Sequence, residues 1–182
     1  MDQKVIIQKI TGVTLVAVLA ICLCFVNIQP VYAEEVTDDL EAEIAEKKAA
    51  GIEVHELVSD DGKVMGYFLP NAEMDEREAK TTRGSFNWKT APNTDTWSNN
   101  NISFVKGDKI YVSASQNPSG AGCVSYVGLR DNDNGSFGYP SSSITTNGWS
   151  NGVIVVGYSG HFSFSIRNKS SRTITYSGSY SF

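Results

Sequence analysis

Few side chains in the C-terminal hundred residues of this 182-residue chain could do chemistry. Residues 83–182 hold one histidine (His161), one cysteine (Cys123) and four carboxylates, Asp95, Asp108, Asp131 and Asp133. A nucleophile–base pair would need the strands carrying Cys123 and His161 to adjoin. A glycosidase would need two carboxylates facing each other across a cleft. Neither is suggested by local spacing: Asp108 in "KGDKI" reads as a turn residue, and Cys123 in "CVSYVGL" as a small buried hydrophobe. The expectation is a protein with no catalytic residue, no cofactor and no metal site.

"DNDNGS", Asp131 to Ser136, raises a calcium question, because closely spaced carboxylate and amide oxygens suit a hard cation. The EF-hand template fails, since its glycine position holds Ser136 and its twelfth residue is Ser142 rather than Glu. Asn134-Gly135 is a strong tight-turn dipeptide, so a hairpin loop is the simpler reading.

Aromatic residues are the better clue. Trp88, Trp97, Trp149, Phe137 and Tyr139 lie in or beside polar loops such as "TDTWSNNN" and "TTNGWSNG". An exposed indole beside amides can stack on a sugar ring while the amides bond its hydroxyls. The expected ligand-binding residues are therefore Trp97, Trp149, Tyr139, Asp131 and Asp133, with Trp88 assigned to the core.

These residues need elements to hold them. Residues 83–182 contain no Glu or Met, a single Leu and three Ala, so strong helix formers are almost absent. Alternating runs such as "HFSFSIRN", "KIYVSAS", "GVIVVGY" and "TITYSGSYSF" read as half-buried strands. Asn134-Gly135, Asn147-Gly148, Asn151-Gly152 and Ser159-Gly160 read as the turns between them. The expected fold of residues 84–182 is an all-β antiparallel sandwich of seven to eight strands.

Upstream the chemistry reverses. Residues 34–82 carry fifteen acidic and five basic side chains, a formal −10, whereas residues 83–182 sum to +4. Thr37 can cap a helix with Asp38 and Asp39 in its first turn, and Lys47, Lys48 and Gly51 mark its end. "GIEVHELVSDDGKVMGYFLPN" then reads as a hairpin around Asp61-Gly62. Residues 34–70 are thus expected to form a small acidic helix-and-hairpin module, a candidate propeptide; the other reading is that its hairpin adds strands to the sandwich as a permanent part of the fold. Residues 71–83 would be a charged linker with processing positions at Lys80 and Arg83.

Residues 1–33 read as a signal peptide: Lys4 and Lys9, an apolar run, Pro30 and a small-residue site ending at Ala33. Cys22 and Cys24 would leave with it, so that Cys123 could form no intrachain disulfide. The expected protein is a secreted bacterial binding module acting on an extracellular surface polymer, carbohydrate or membrane surface. The alternative is an antimicrobial or toxin-like effector, made as a proprotein and released near Lys80–Arg83. Scattered basic residues without a nucleic-acid motif argue against nucleic acid as a partner.

Overall fold

The computed structural model describes residues 39–72, 83–140 and 149–182. The chain divides into two compact units, Met1–Asp39 and Leu40–Phe182. All of the described residues but Asp39 belong to the second. The expected signal peptide, Ala33, Thr37, Lys80 and the Asn147-Gly148 turn lie outside the described residues.

One helix, α1 (Asp39–Ala49), opens the described chain. It ends as its residues require: Gly51 has φ +79°, and the amides of Gly51 and Ile52 bond back to the carbonyls of Lys48 and Lys47. That paired arrangement is a Schellman motif, which satisfies carbonyls that the helix itself leaves free.

Eleven strands follow. They are β1 (His55–Ser59), β2 (Val64–Pro70), β3 (Arg83–Thr90), β4 (Asp95–Trp97), β5 (Ile102–Phe104) and β6 (Lys109–Asn117), then β7 (Ser125–Asp131), β8 (Phe137–Tyr139), β9 (Trp149–Val156), β10 (Gly160–Asn168) and β11 (Ile174–Ser181). All pair antiparallel in one sheet, in the order β3-β11-β6-β9-β2-β1-β8-β7-β10-β4, with β5 also on β10. The terminal strands of that order, β3 and β4, meet each other. The result is a nearly closed antiparallel barrel, and it corrects the expected sandwich of seven to eight strands.

The physical reason for the difference lies in the acidic segment. Residues 83–182 alone supply two runs of paired strands, β3-β11-β6-β9 and β8-β7-β10-β4. The β1–β2 hairpin fills the gap, with β2 bonded to β9 through Gly66–Pro70 and β1 bonded to β8 through Val58 and Ser59. Leu57, Met65 and Phe68 of this hairpin are completely buried in the interior. The helix-and-hairpin segment is therefore no separate module. Removing residues 34–82 would take two strands from the middle of the sheet. Arg83, a proposed processing position, is already paired with Ser181 at the start of β3.

Alternation fills the barrel. Ile110, Val112, Leu129, Ile154, Phe162, Phe164, Ile166, Ile174 and Tyr176 face inward, so the interior is a packed core. A bulge in the β1–β2 pairing, between Leu57 and Val58, lets both Met65 and Phe68 point inward. Outward residues of β2, β6 and β9 are also apolar: Tyr67, Leu69, Tyr111, Val153 and Val155. Leu40 and Ile44 of α1 cover them, so the narrow stripe of this helix finds its partner on the barrel wall.

The closing corner is made by side chains. Asn168 at the end of β10, fully buried, donates through Nδ2 to the carbonyls of Thr90 (3.1 Å) and Ala91 (3.0 Å) beyond β3. Asn151-Gly152, expected as a turn, lies inside β9 instead. Its glycine is required by packing: a Cβ on Gly152 would strike the Leu69 carbonyl and sit 2.7 Å from the Phe68 ring.

Candidate functional site

The outer face of β8, β7, β10 and β4 has a floor of small residues and a roof of large ones. Cross-strand pairing places Trp97 beside Ser165, Asp95 beside Arg167, and Arg130 between Phe137 and Ser163. On β7, Gly128 leaves room for Tyr139, since a Cβ there would lie 2.5 Å from Cδ1 of that ring. Because Ser163, Ser165 and Gly128 are small, rings from β8 and β4 meet above them. Trp97 stands edge-on to Phe137 at 5.4 Å, and Phe137 stacks with Tyr139 at 6.1 Å.

Two arginines complete this layer. The Arg167 guanidinium lies 4.2 Å from the centre of the Tyr139 ring and grips Asp95 with two bonds, Nε at 2.7 Å and Nη2 at 3.1 Å. The Asp95 hydrogen bond raises the Arg167 pKa. Burial and then the Asp95 charge hold the Tyr139 phenol well above the ordinary tyrosine range. Arg130 lies over Trp97 at 5.1 Å and Phe137 at 5.8 Å. Its Nη1 donates to Asn132 Oδ1, and its Nε is buried without a partner.

Beside Trp97 a shallow groove of about 280 Å³ opens, bounded by Trp97, the Ser98–Asn101 loop, Arg130, Asn132 and Ser163. Its walls are tied by polar bonds: Ser163 Oγ donates to the Asn100 carbonyl (2.7 Å), and Asn132 Nδ2 donates to Ser163 Oγ (2.9 Å). Asn100 Nδ2 donates to the Tyr180 hydroxyl on β11, which fixes the loop across the barrel mouth. The Ser98 amide bonds the Phe164 carbonyl at 2.9 Å, so Trp97 leaves β4 on a held backbone. Trp97 remains 39% exposed, one of only three large apolar side chains in that state among the described residues. The side chains of Asn99 and Asn101 are exposed beside it.

Of the expected ligand residues, Trp97 lines this groove. Tyr139, 6% exposed, supports the layer from beneath Arg167. Asp131, 4% exposed, is a loop brace that accepts from the Asp133 amide (2.9 Å), Asn134 Nδ2 (3.1 Å) and the Tyr158 hydroxyl (2.7 Å). Asp133 pairs with the His161 ring at 2.9 Å on the outer surface. Trp149 opens β9 opposite Ser115, between β6 and β2, so its strand is not among those that carry the groove. The groove also uses residues that the sequence did not single out, namely Arg130, Asn132 and the asparagines of "WSNNN".

Cys123 and His161 do not form a pair. Cys123 is buried in the core at 1% exposure, beyond the Asn168 end of β10, whereas His161 sits near the other end of that strand. At about 3.3 Å per residue the separation is roughly 20 Å. "DNDNGS" is a hairpin loop between β7 and β8, with Gly135 at φ +80° and its amide on the Asp131 carbonyl. No group of three or more metal-binding side chains occurs among the described residues. No helix among them is long and apolar enough to cross a membrane. In comparisons with known proteins, the chain matches no protein-family model and no curated protein.

Proposed function

We propose that this chain is an exported, non-catalytic binding protein whose Trp97 groove takes a polyhydroxylated, sugar-type ligand of an extracellular surface polymer. The observation that carries this reading is the exposed Trp97 ring, held by Phe137 and Arg130 and flanked by the exposed amides of Asn99 and Asn101. An aromatic face gives area for the apolar side of a sugar ring, and neighbouring amides both donate to and accept from its hydroxyls. The shallow, open shape suits one or two residues of a chain that continues past the site. Export is supported by the basic, apolar and small-residue sequence pattern of residues 1–33.

The test is a titration of the protein with soluble glycan fragments, read by calorimetry, comparing the unaltered chain with Trp97→Ala. Loss of a central aromatic anchor is expected to cost more than about 1 kcal/mol of binding energy. The variant should keep its thermal midpoint, because the ring is partly solvated. Glycan binding that survives Trp97→Ala at full strength would move the ligand to another face and refute the assignment.

A further inference from the structure

Two arginines share the outer face of the sheet, and their charges are treated differently. Arg167 is neutralised by the two-pronged Asp95 contact, with both side chains about one-fifth exposed. Arg130 has no carboxylate partner among the described residues, and its hydrogen bond goes to the neutral amide of Asn132. The nearest carboxylates on its own hairpin loop are engaged elsewhere: Asp131 by Tyr158, Asn134 and the Asp133 amide, and Asp133 by His161. Arg130 is also the only charged side chain among those that line the groove. The groove therefore presents one positive charge, with no carboxylate in contact with it among the described residues, between an indole and a row of amides.

From this juxtaposition we propose that the groove selects an acidic ligand, a sugar ring bearing a carboxylate, phosphate or sulfate. The inference rests on the sugar reading above and narrows it to a chemical class. Contacts with the Trp97 and Phe137 rings and the bond to Asn132 hold the guanidinium, so the side chain is ordered before a ligand arrives. A fixed guanidinium matches the paired oxygens of a carboxylate or phosphate better than a flexible ammonium does. Asn99 and Asn101 add donors to the lining of the same groove, for ring hydroxyls. A neutral ring would keep the stacking contact and the amide bonds to its hydroxyls but would lack the pairing with Arg130.

The experiment compares three soluble probes on the full chain: a uronic acid oligomer, a sugar-phosphate polymer fragment and a neutral glucan oligomer of similar length. The acidic probes should bind at least tenfold more tightly than the neutral one, and that margin should shrink as salt is raised. Carboxylate against phosphate preference then identifies the source of the anion. Arg130→Gln should collapse the preference by about ten- to hundredfold, the usual worth of hydrogen bonds to a charged group. Arg130→Lys should restore only part of it, and an unchanged near-ultraviolet spectrum shows that Trp97 keeps its place in both variants. Equal affinity for neutral and acidic probes, or an Arg130→Gln effect of the same size on both, overturns the acidic selectivity while leaving the sugar reading standing. No binding by any probe overturns both.

Discussion

Two patches of the barrel's outer wall start from the same rule and end differently. On β2, β6 and β9 the outward positions are Tyr67, Leu69, Tyr111, Val153 and Val155, and the chain covers them with Leu40 and Ile44 of α1. On β8, β7, β10 and β4 the outward positions are Phe137, Tyr139, Arg130, Arg167 and Trp97, and no helix among the described residues covers them. Those side chains cover one another instead, through ring contacts and guanidinium stacking. The first solution takes most of that apolar area out of water, leaving Tyr67 9% and Leu69 5% exposed. The second leaves an indole and a guanidinium partly solvated, which a covered wall cannot offer. The difference separates a wall used for stability from one available for recognition.

The largest test of this division removes the element on which both walls depend. A chain lacking residues 34–72 is expected not to fold, because β9 and β8 lose their partner strands and Leu57, Met65 and Phe68 leave the core. Circular dichroism and a cooperative thermal transition would decide it. A folded, cooperative fragment from residue 83 onward would show that the two remaining sheet halves suffice.

Next in size is the sealed wall. Ile44→Asp puts a charge against Leu69 and Val153 and should cost about 3 kcal/mol or more, since a buried unpaired charge combines with lost burial. Leu40→Ala should cost about 2 kcal/mol, at the low end for a core leucine, because a helix at the surface can settle into the space. Both variants should bind more of a hydrophobic dye as α1 lifts away. A variant at either position that matches the parent in chemical denaturation would mean that the helix contributes nothing to the barrel.

The contrast also shows what could be read in advance. The strands β6, β10 and β11 are legible as period-two alternation, β9 as a continuous apolar run, and the Asp61-Gly62 hairpin as a turn dipeptide, with Gly62 at φ +85°. The end of α1 was visible in Lys47, Lys48 and Gly51, because those signals are local. Closure was not visible, since it depends on β1 reaching β8 and β2 reaching β9 across more than seventy residues of chain. The abrupt change in charge suggested two separable pieces, yet charge belongs to the surface and strand partnership to the backbone. Trp97 could be flagged from "TWSNNN", whereas Arg130 could not: only its register opposite Phe137 and Ser163 brings it to the indole. Asn151-Gly152 misled because a glycine needed for close packing looks the same in sequence as one needed for a turn.

A third test uses alkaline pH. Burial pushes the Tyr176 phenol up to about 12, with Ser125 bonded to its hydroxyl, and raises Tyr158 and Tyr139 as well. Folded phenols that hold their protons more tightly than unfolded ones contribute stability that is complete below pH 10 and lost as pH rises from 10 toward 12. Denaturation midpoints should fall across that interval. Tyr176→Phe should flatten part of the fall, and Tyr139→Phe a further part. Because Tyr139 belongs to the open wall and Tyr176 to the interior, the two variants apportion the effect between wall and core. A midpoint that is level from pH 9 to 11.5 would contradict the burial of these hydroxyls.

The smallest effects come from two ion pairs, one near each wall. Lys48 and Glu56 meet at 2.9 Å with side chains 44% and 46% exposed, so water screens the attraction and holding two long side chains consumes most of what remains. Arg167 and Asp95 are half as exposed, at 21% each, and make two bonds with the guanidinium 4.2 Å from the centre of the Tyr139 ring. Asp95→Asn is therefore expected to cost about 1 to 2 kcal/mol, while Glu56→Gln should stay within about 0.5 kcal/mol. Chemical denaturation of both variants at low and high salt separates them: salt should erase the small Glu56→Gln effect and leave most of the Asp95→Asn effect. Equal costs would mean that the open wall holds its arginine no more firmly than bulk surface does. Arg130, held by two rings and an amide but by no carboxylate among the described residues, would then lack the ordering that acidic selectivity requires.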